Sequence, residues 1–203
     1  MKNIFDVNFL EGEWVRLERF DKNRHLIEIF KLANEDESIF NFLSFGPYKN
    51  IEDFSSWIDS QEHQGNRITF AVFSKRLNKY VGNISITFIE ENYRNAEIGC
   101  VWYEKLAQRT EINRESVFLL LKYLFDEMNY IRVQWRCDIE NIGQSKSVIP
   151  TELIVKKRDK MFHIALITGL KPVVSICRSY RTFSRKMKKR ISWALLHRVK
   201  TRC

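Results

Sequence analysis

This 203-residue chain has no apolar run approaching the roughly 20 residues that a membrane span needs. Nor is Met1–Asp6 followed by the apolar core of a secretory signal. Both absences read as a cytoplasmic protein. Cysteine is sparse and scattered: Cys100, Cys137, Cys177 and Cys203 show no Cys-x-x-Cys spacing. That pattern argues against a disulfide framework or a zinc site and for buried or idle thiols. His25, His63, His163 and His197 form no ligand pair at helical spacing, so no metal is expected. Acid is missing from one end only, with no Asp or Glu between Lys160 and Cys203. Residues 146–203 carry 16 Lys or Arg against 2 Asp or Glu, a net of +14. That leaves 18 against 23, a net of −5, for residues 1–145. The overall pI of 9.4 therefore does not describe a uniformly basic surface.

What is present is ordinary for a folded domain, at 44% hydrophobic and 29% charged residues. The length suits one domain with a good core. Glu13–Arg19 alternates apolar and polar, as a half-buried strand does. Asp21 is placed to cap a helix over about 22–34, with Leu26, Ile29, Phe30 and Ala33 on one face. Gly46-Pro47 signals a turn before a second helix over about 51–63, carrying Phe54, Trp57 and Ile58. Three strands follow, Arg67–Ser74, Tyr80–Ile89 and Asn95–Tyr103, with links short enough for an antiparallel meander. Alternation in the third puts Ala96, Ile98, Cys100 and Trp102 on one side and Glu97, Gly99, Val101 and Tyr103 on the other. Val117, Leu120, Leu121, Leu124, Phe125 and Met128 form one stripe of a helix over about 113–128, and Ile131–Cys137 is a strand. A strand–helix–strand crossover makes the last two strands parallel.

Asn95–Glu115 is thus a strand, a polar loop and a helix opening off that loop. Backbone N–H groups and the positive end of a helix dipole converge there, as at sites that hold an anion such as a pyrophosphate.

The β-α-α-β-β-β-α-β order with that loop resembles the GNAT acyltransferases. Leu10-Glu11-Gly12-Glu13-Trp14-Val15-Arg16-Leu17, Asn95-x-Glu97-Ile98-Gly99, Trp102-Tyr103, Gln108-Arg109-Thr110-x-x-Asn113-x-Glu115 and Leu119-Leu120-Leu121 are similar to the branch containing the N-terminal acetyltransferases of ribosomal proteins. The likeness covers about residues 10–143. It implies an α+β fold, a mixed and mainly antiparallel sheet with flanking helices and one parallel β-α-β unit. It also implies acetyl-CoA as cosubstrate, lying where the strands at 95–103 and 131–137 splay apart. Backbone groups of Val101, Trp102 and Tyr103 would pair with its pantetheine arm. The loop and helix start Gln108, Arg109, Thr110, Glu111, Ile112 and Asn113 would wrap the pyrophosphate, Arg109 adding charge. Asn141 matches an asparagine near the cofactor. The resemblance further implies a primary amine as acceptor, on a protein N-terminus or a small molecule, and a monomer or homodimer. Glu97 is the candidate general base; its alternative is a solvated or salt-bridged strand carboxylate. Trp57, Trp102 and Tyr103 are candidates for lining the acceptor pocket or for packing the core.

Past strand 131–137 the family continues with an Asn-x-x-Ser-x-x-Ala helix, a Leu-Gly-Phe turn and two closing strands. Asn141–Ile149 only sketches the helix, and no such turn follows. The chain therefore divides into a GNAT-like acetyl-CoA-binding domain at 1–143 and a basic tail at 144–203, irregular or helical. Phe183, Met187, Ile191, Leu195 and Val199 fall on one helical face of that tail. The break coincides with the charge flip, as translation out of the ancestral frame from about residue 144 would produce. The strand at 131–137 would then have an open edge and the cleft would lose a wall, impairing activity. The competing reading is a non-enzymatic protein whose basic tail binds nucleic acid or an anionic membrane.

Overall fold

The computed structural model describes residues 3–41, 43–136, 164–165 and 173–177. Eleven longer elements run β1 (Phe9–Glu11), β2 (Val15–Arg19), α1 (Lys22–Glu35), α2 (Ile51–Glu62), β3 (Ile68–Ser74), β4 (Lys79–Glu90), β5 (Asn95–Tyr103), α3 (Glu111–Lys122), β6 (Arg132–Arg136), β7 (Ile164–Ala165) and β8 (Val173–Cys177). They build one sheet in the order β1-β2-β3-β4-β5-β6-β8-β7. β1 to β5 are antiparallel neighbours, and β5 and β6 are parallel across the α3 crossover. This is the α+β, mixed-sheet fold expected from the sequence.

Local codes start each helix. The Asp21 carboxylate accepts from Asn23 N–H at 2.8 Å, and Asn50 accepts from Asp53 N–H at 2.7 Å. Thr110 caps α3, which opens two residues earlier than the apolar stripe alone indicates. Its far end widens into a π turn over Tyr123–Glu127.

The sheet has two unlike faces. On one, α3 buries Ile112, Val117, Leu120 and Leu121 against Val15, Leu17, Phe70, Ile84, Ile98, Val101 and Tyr103. On the other, α1 and α2 bury Ile29, Phe54 and Ile58 beside Phe20, Ala71 and Trp102.

Two expectations are corrected. Strict alternation along β5 fails at Cys100, whose φ is +49°. Ser85 pairs with Gly99 and Asn83 with Trp102, so β5 carries one extra residue opposite Ile84. This β-bulge inverts the parity: Ala96 and Ile98 share the α3 face with Val101 and Tyr103, while Trp102 turns to the other. The outer edge of β6 is also not open. β8 pairs antiparallel along it, from Arg132–Cys177 to Arg136–Val173, and β7 pairs with β8. The β-rich run Val173-Val174-Ser175-Ile176-Cys177 supplies that edge strand without a Gly-rich turn to announce it. Asn141 and the Phe183–Val199 helical face lie outside the described residues, as does most of the basic tail.

A charged cluster ties α1 to the sheet. Glu18, 4% exposed, accepts from Arg16 Nε at 2.7 Å, Arg24 Nη2 at 2.6 Å and Tyr80 Oη at 3.1 Å. Against the penalty of burial, these donors and the arginine charges hold its carboxyl below the usual range. Fully buried His25 accepts Asp21 N–H on Nδ1, which leaves the proton of the neutral ring on Nε2, 3.5 Å from Glu18. Burial pushes its pKa down, outweighing the pull of Glu18. The folded chain therefore takes up this proton less readily than the unfolded one, whose histidine titrates at about 6.5. The stability from neutral His25 is present above that value and is lost as pH falls through the lower folded value. Glu18 adds a loss of the same sign at more acidic pH. Thermal melts are expected to show Tm falling from pH 7 to pH 5, with His25→Gln flattening that slope. An unchanged slope in the variant counts against this origin.

Candidate active site

β5 and β6 stay paired only from Asn95–Arg132 to Ile98–Trp135, yet β5 runs five residues further to Tyr103. The bulge at Cys100 bends β5 where the pairing ends. Past Ile98 β5 has no β6 partner among the described residues, and it leads into the loop 104–110 and the start of α3.

The loop is folded by its own side chains. Gln108 Nε2 donates to Tyr103 O at 2.9 Å, and Thr110 Oγ1 donates to Ala107 O at 2.6 Å while accepting from Ile112 N–H at 3.2 Å. Arg109, exposed, sits at φ +59° between them. Among the described residues, the N–H groups of Arg109, Thr110 and Glu111 have no acceptor. Orphan amides at a helix N-terminus, with the dipole behind them, make an anion cradle.

The expected cofactor residues are thus brought together, though not all through their side chains. Gln108 and Thr110 shape the loop, and Glu111 faces Arg76 at 3.4 Å. Ile112 is in the core and Asn113 is buried. Val101 and Tyr103 point into the α3 core, and Trp102 joins Phe40 and the aromatic cluster of Tyr48, Phe54 and Trp57. Their side chains are thus committed to the two cores, and the Tyr103 carbonyl is already held by Gln108. Asn141 lies outside the described residues.

Glu97 is 8% exposed and lies on the face opposite α3, paired with Thr87 on β4 and Gln134 on β6. It sits one residue before the last β5–β6 pair. Two residues on, Gly99 brings its backbone close: a Cβ there would lie in ordinary contact, 3.5 Å from Glu97 Oε1 and 3.4 Å from Thr87 Oγ1. The buried carboxylate thus stands beside the last β5–β6 pair.

Other groups have no local motif. Arg67 Nη1 donates to Cys100 Sγ at 3.0 Å. Burial pushes the Cys100 thiol up, against the pull of that arginine. Glu104, at the start of the loop, is buried with Lys79 at 2.7 Å. Glu115 receives the N–H groups of Glu13, Trp14 and Val15 at 2.8, 2.7 and 2.8 Å. Burial raises its carboxyl pKa against those three donors. It belongs to the Gln-Arg-Thr-x-x-Asn-x-Glu block, but what it binds is the β1–β2 turn.

The profile of the acetyltransferase (GNAT) domain matches residues 15–148. The chain belongs to the GNAT acetyltransferase family. A GCN5-related N-acetyltransferase from Brucella melitensis superposes with a TM-score of 0.69 at 25% identity, over 85% of this chain and 79% of that one. The fold is also that of a spermidine N-acetyltransferase from Vibrio cholerae in complex with CoA and spermine, with a TM-score of 0.60 at 17% identity, over 83% of this chain and 98% of that one. A second Vibrio cholerae structure, provisionally named a ribosomal-protein-serine acetyltransferase, gives a TM-score of 0.63 at 14% identity, over 83% and 97%. No protein of curated function matches the chain in sequence. This GNAT acetyltransferase has, among its described residues, no helix long and apolar enough to cross a membrane and no cluster of three or more His, Cys, Asp or Glu able to hold a metal ion.

Proposed function

We propose that this GNAT acetyltransferase uses acetyl-CoA to acetylate a primary amine, with Glu97 as the general base. The observation that carries the proposal is the buried Glu97 carboxylate beside the last β5–β6 pair. When bound, acetyl-CoA supplies an activated acetyl group as a thioester. The amides of Arg109, Thr110 and Glu111, with the Arg109 charge, fit its pyrophosphate. The stretch of β5 beyond its β6 pairing supports a place for the pantetheine arm.

The amine must be neutral to react. Glu97, close to Gly99, would take its proton directly or through one water. Positioning the amine against the thioester supplies much of the remaining rate. The acceptor is a protein N-terminus or a small amine. The Gln108–Glu115 block supports the ribosomal-protein N-terminal branch.

Acetyl-CoA at about 100 times its Kd is expected to raise Tm by about 5–10 °C for a domain of this size. Mass spectrometry of peptide N-termini and of spermidine incubated with both then reads the transfer as a gain of one acetyl group. No thermal shift at saturating acetyl-CoA overturns the proposal.

An out-of-frame origin for residues from about 144 onward is a separate proposal, supported by the charge break. The codons for Lys171–Ile176 permit Thr-Ser-Cys-Ile-Tyr in a shifted frame, which suits the family's final strand. Translating the gene in its other two frames tests the idea, and finding neither a Leu-Gly-Phe-like turn nor a terminal β pattern there overturns it.

A further inference from the structure

Two carboxylates flank the loop 104–110, and each meets a cation from the same hairpin. Glu104 follows β5 directly, and Glu111 is the first residue of α3. The turn between β3 and β4, residues 75–78, carries Arg76, and Lys79 begins β4. Arg76 Nε lies 3.4 Å from Glu111 Oε1, and Lys79 Nζ lies 2.7 Å from Glu104 Oε2. The turn is anchored where it stands. Lys75 N–H donates to Trp14 O at 2.9 Å, and Lys75 Nζ donates to Gly12 O at 2.6 Å. Leu77 packs against the core on the α3 side, and its N–H donates to Ser74 Oγ at 3.3 Å. A fixed turn therefore presents the Arg76 guanidinium to the start of α3.

The two pairs answer different needs. Glu104 is buried, so Lys79 compensates a charge taken out of water. The Arg76 and Glu111 side chains are 48% and 24% exposed, and a surface pair of this kind adds little to stability. Its place in the chain gives it another use. An acidic side chain in the first turn of a helix is drawn to the same dipole and the same orphan amides that hold a phosphate. The unpartnered N–H groups here are those of Arg109, Thr110 and Glu111 itself. The protein thus carries its own competitor for the anion. Among the described residues, the Glu111 carboxylate meets Arg76 and accepts from none of these amides.

We infer that Arg76 is a positioning residue for the cofactor, drawing the Glu111 carboxylate off the start of α3 and leaving the loop amides to the pyrophosphate of acetyl-CoA. The inference deepens the acetyl-CoA reading proposed above and rests on it. Without the guanidinium, the carboxylate can fold back onto the amides and repel the incoming phosphates. Arg76 therefore acts through Glu111, whereas Arg109 adds its charge to the loop itself.

Calorimetry with CoA on the full chain tests this in four proteins: wild type, Arg76→Gln, Glu111→Gln and the double variant. Arg76→Gln is expected to weaken CoA binding by about 3- to 10-fold. In the Glu111→Gln background the same change is expected to cost less than about 2-fold, because no carboxylate is left to hold aside. Arg76→Lys keeps the charge and is expected to keep most of the affinity. Melts without CoA are expected to place all four proteins within about 2–3 °C of one another, since the pair is exposed. A variant set that shifts Tm and leaves CoA affinity alone makes the pair structural and overturns the inference. An equal loss in both backgrounds means that Arg76 acts on the ligand by its own charge, and this overturns it too. Either result leaves the acetyl-CoA reading standing. Absence of CoA binding by the wild type overturns that reading, and the inference with it.

Discussion

Glu97→Gln is expected to cut kcat by about 100-fold or more, the usual contribution of a positioned general base. Glutamine fills the same volume on β5, so the Thr87 and Gln134 register and the close approach of Gly99 should survive. What it cannot do is accept a proton from an ammonium acceptor. The pH profile separates this role from a structural one. Wild-type kcat/KM should rise with pH through a limb set by the base, and the variant should lose that limb. A variant that keeps the limb and most of its kcat would assign Glu97 to packing alone.

Glu115→Ala is expected to destabilise the fold by about 3–5 kcal/mol, because each buried amide left without its acceptor costs about 1–3 kcal/mol. Three amides in a row, those of Glu13, Trp14 and Val15, depend on this carboxylate. At about 2–4 °C per kcal/mol for a domain of this size, Tm should drop by roughly 10 °C. Glu115→Gln keeps one oxygen but turns an NH2 toward the amide donors, so an intermediate loss is expected. Gly12→Ala attacks the same joint from the other side: its Cβ would lie 2.5 Å from Glu115 Cδ, a distance real Cβ atoms do not show. Denaturant or thermal melts of the three variants check the series. A Glu115→Ala Tm within 2–3 °C of wild type, less than about 1 kcal/mol, would refute it.

What the sequence discloses here depends on how local the code is. The Asp21 cap, the α3 stripe and the parallel β5–α3–β6 crossover follow from short-range spacing. So does the loop Gln108–Asn113, whose residue order is specific. β1 spans three residues, too few for alternation to register. The bulge at Cys100 is invisible to a period-two reading, since the inserted residue is detected only by its partners on β4. The edge strand Val173–Cys177 has strand-forming residues but no turn signal ahead of it. Glu115 shows its role only against a turn some 100 residues away, and the Arg67–Cys100 contact appears only across two strands. In this site the loop is written locally, whereas the surroundings of Glu97 are written in tertiary contacts.

The bulge also sets what kinds of change this segment can absorb. One extra residue splits β5 into two half-strands of opposite parity, with Ile98 and Val101 on the same face. Deleting Cys100 would restore regular alternation, place Val101 opposite Ile84, and still leave Val101 and Tyr103 on the α3 face and Trp102 on the other. The extra residue is therefore not needed to seat these side chains. What would be lost is the left-handed backbone step at Cys100 and the local bend and twist that a bulge brings, so this residue sets the strand's shape and not its packing.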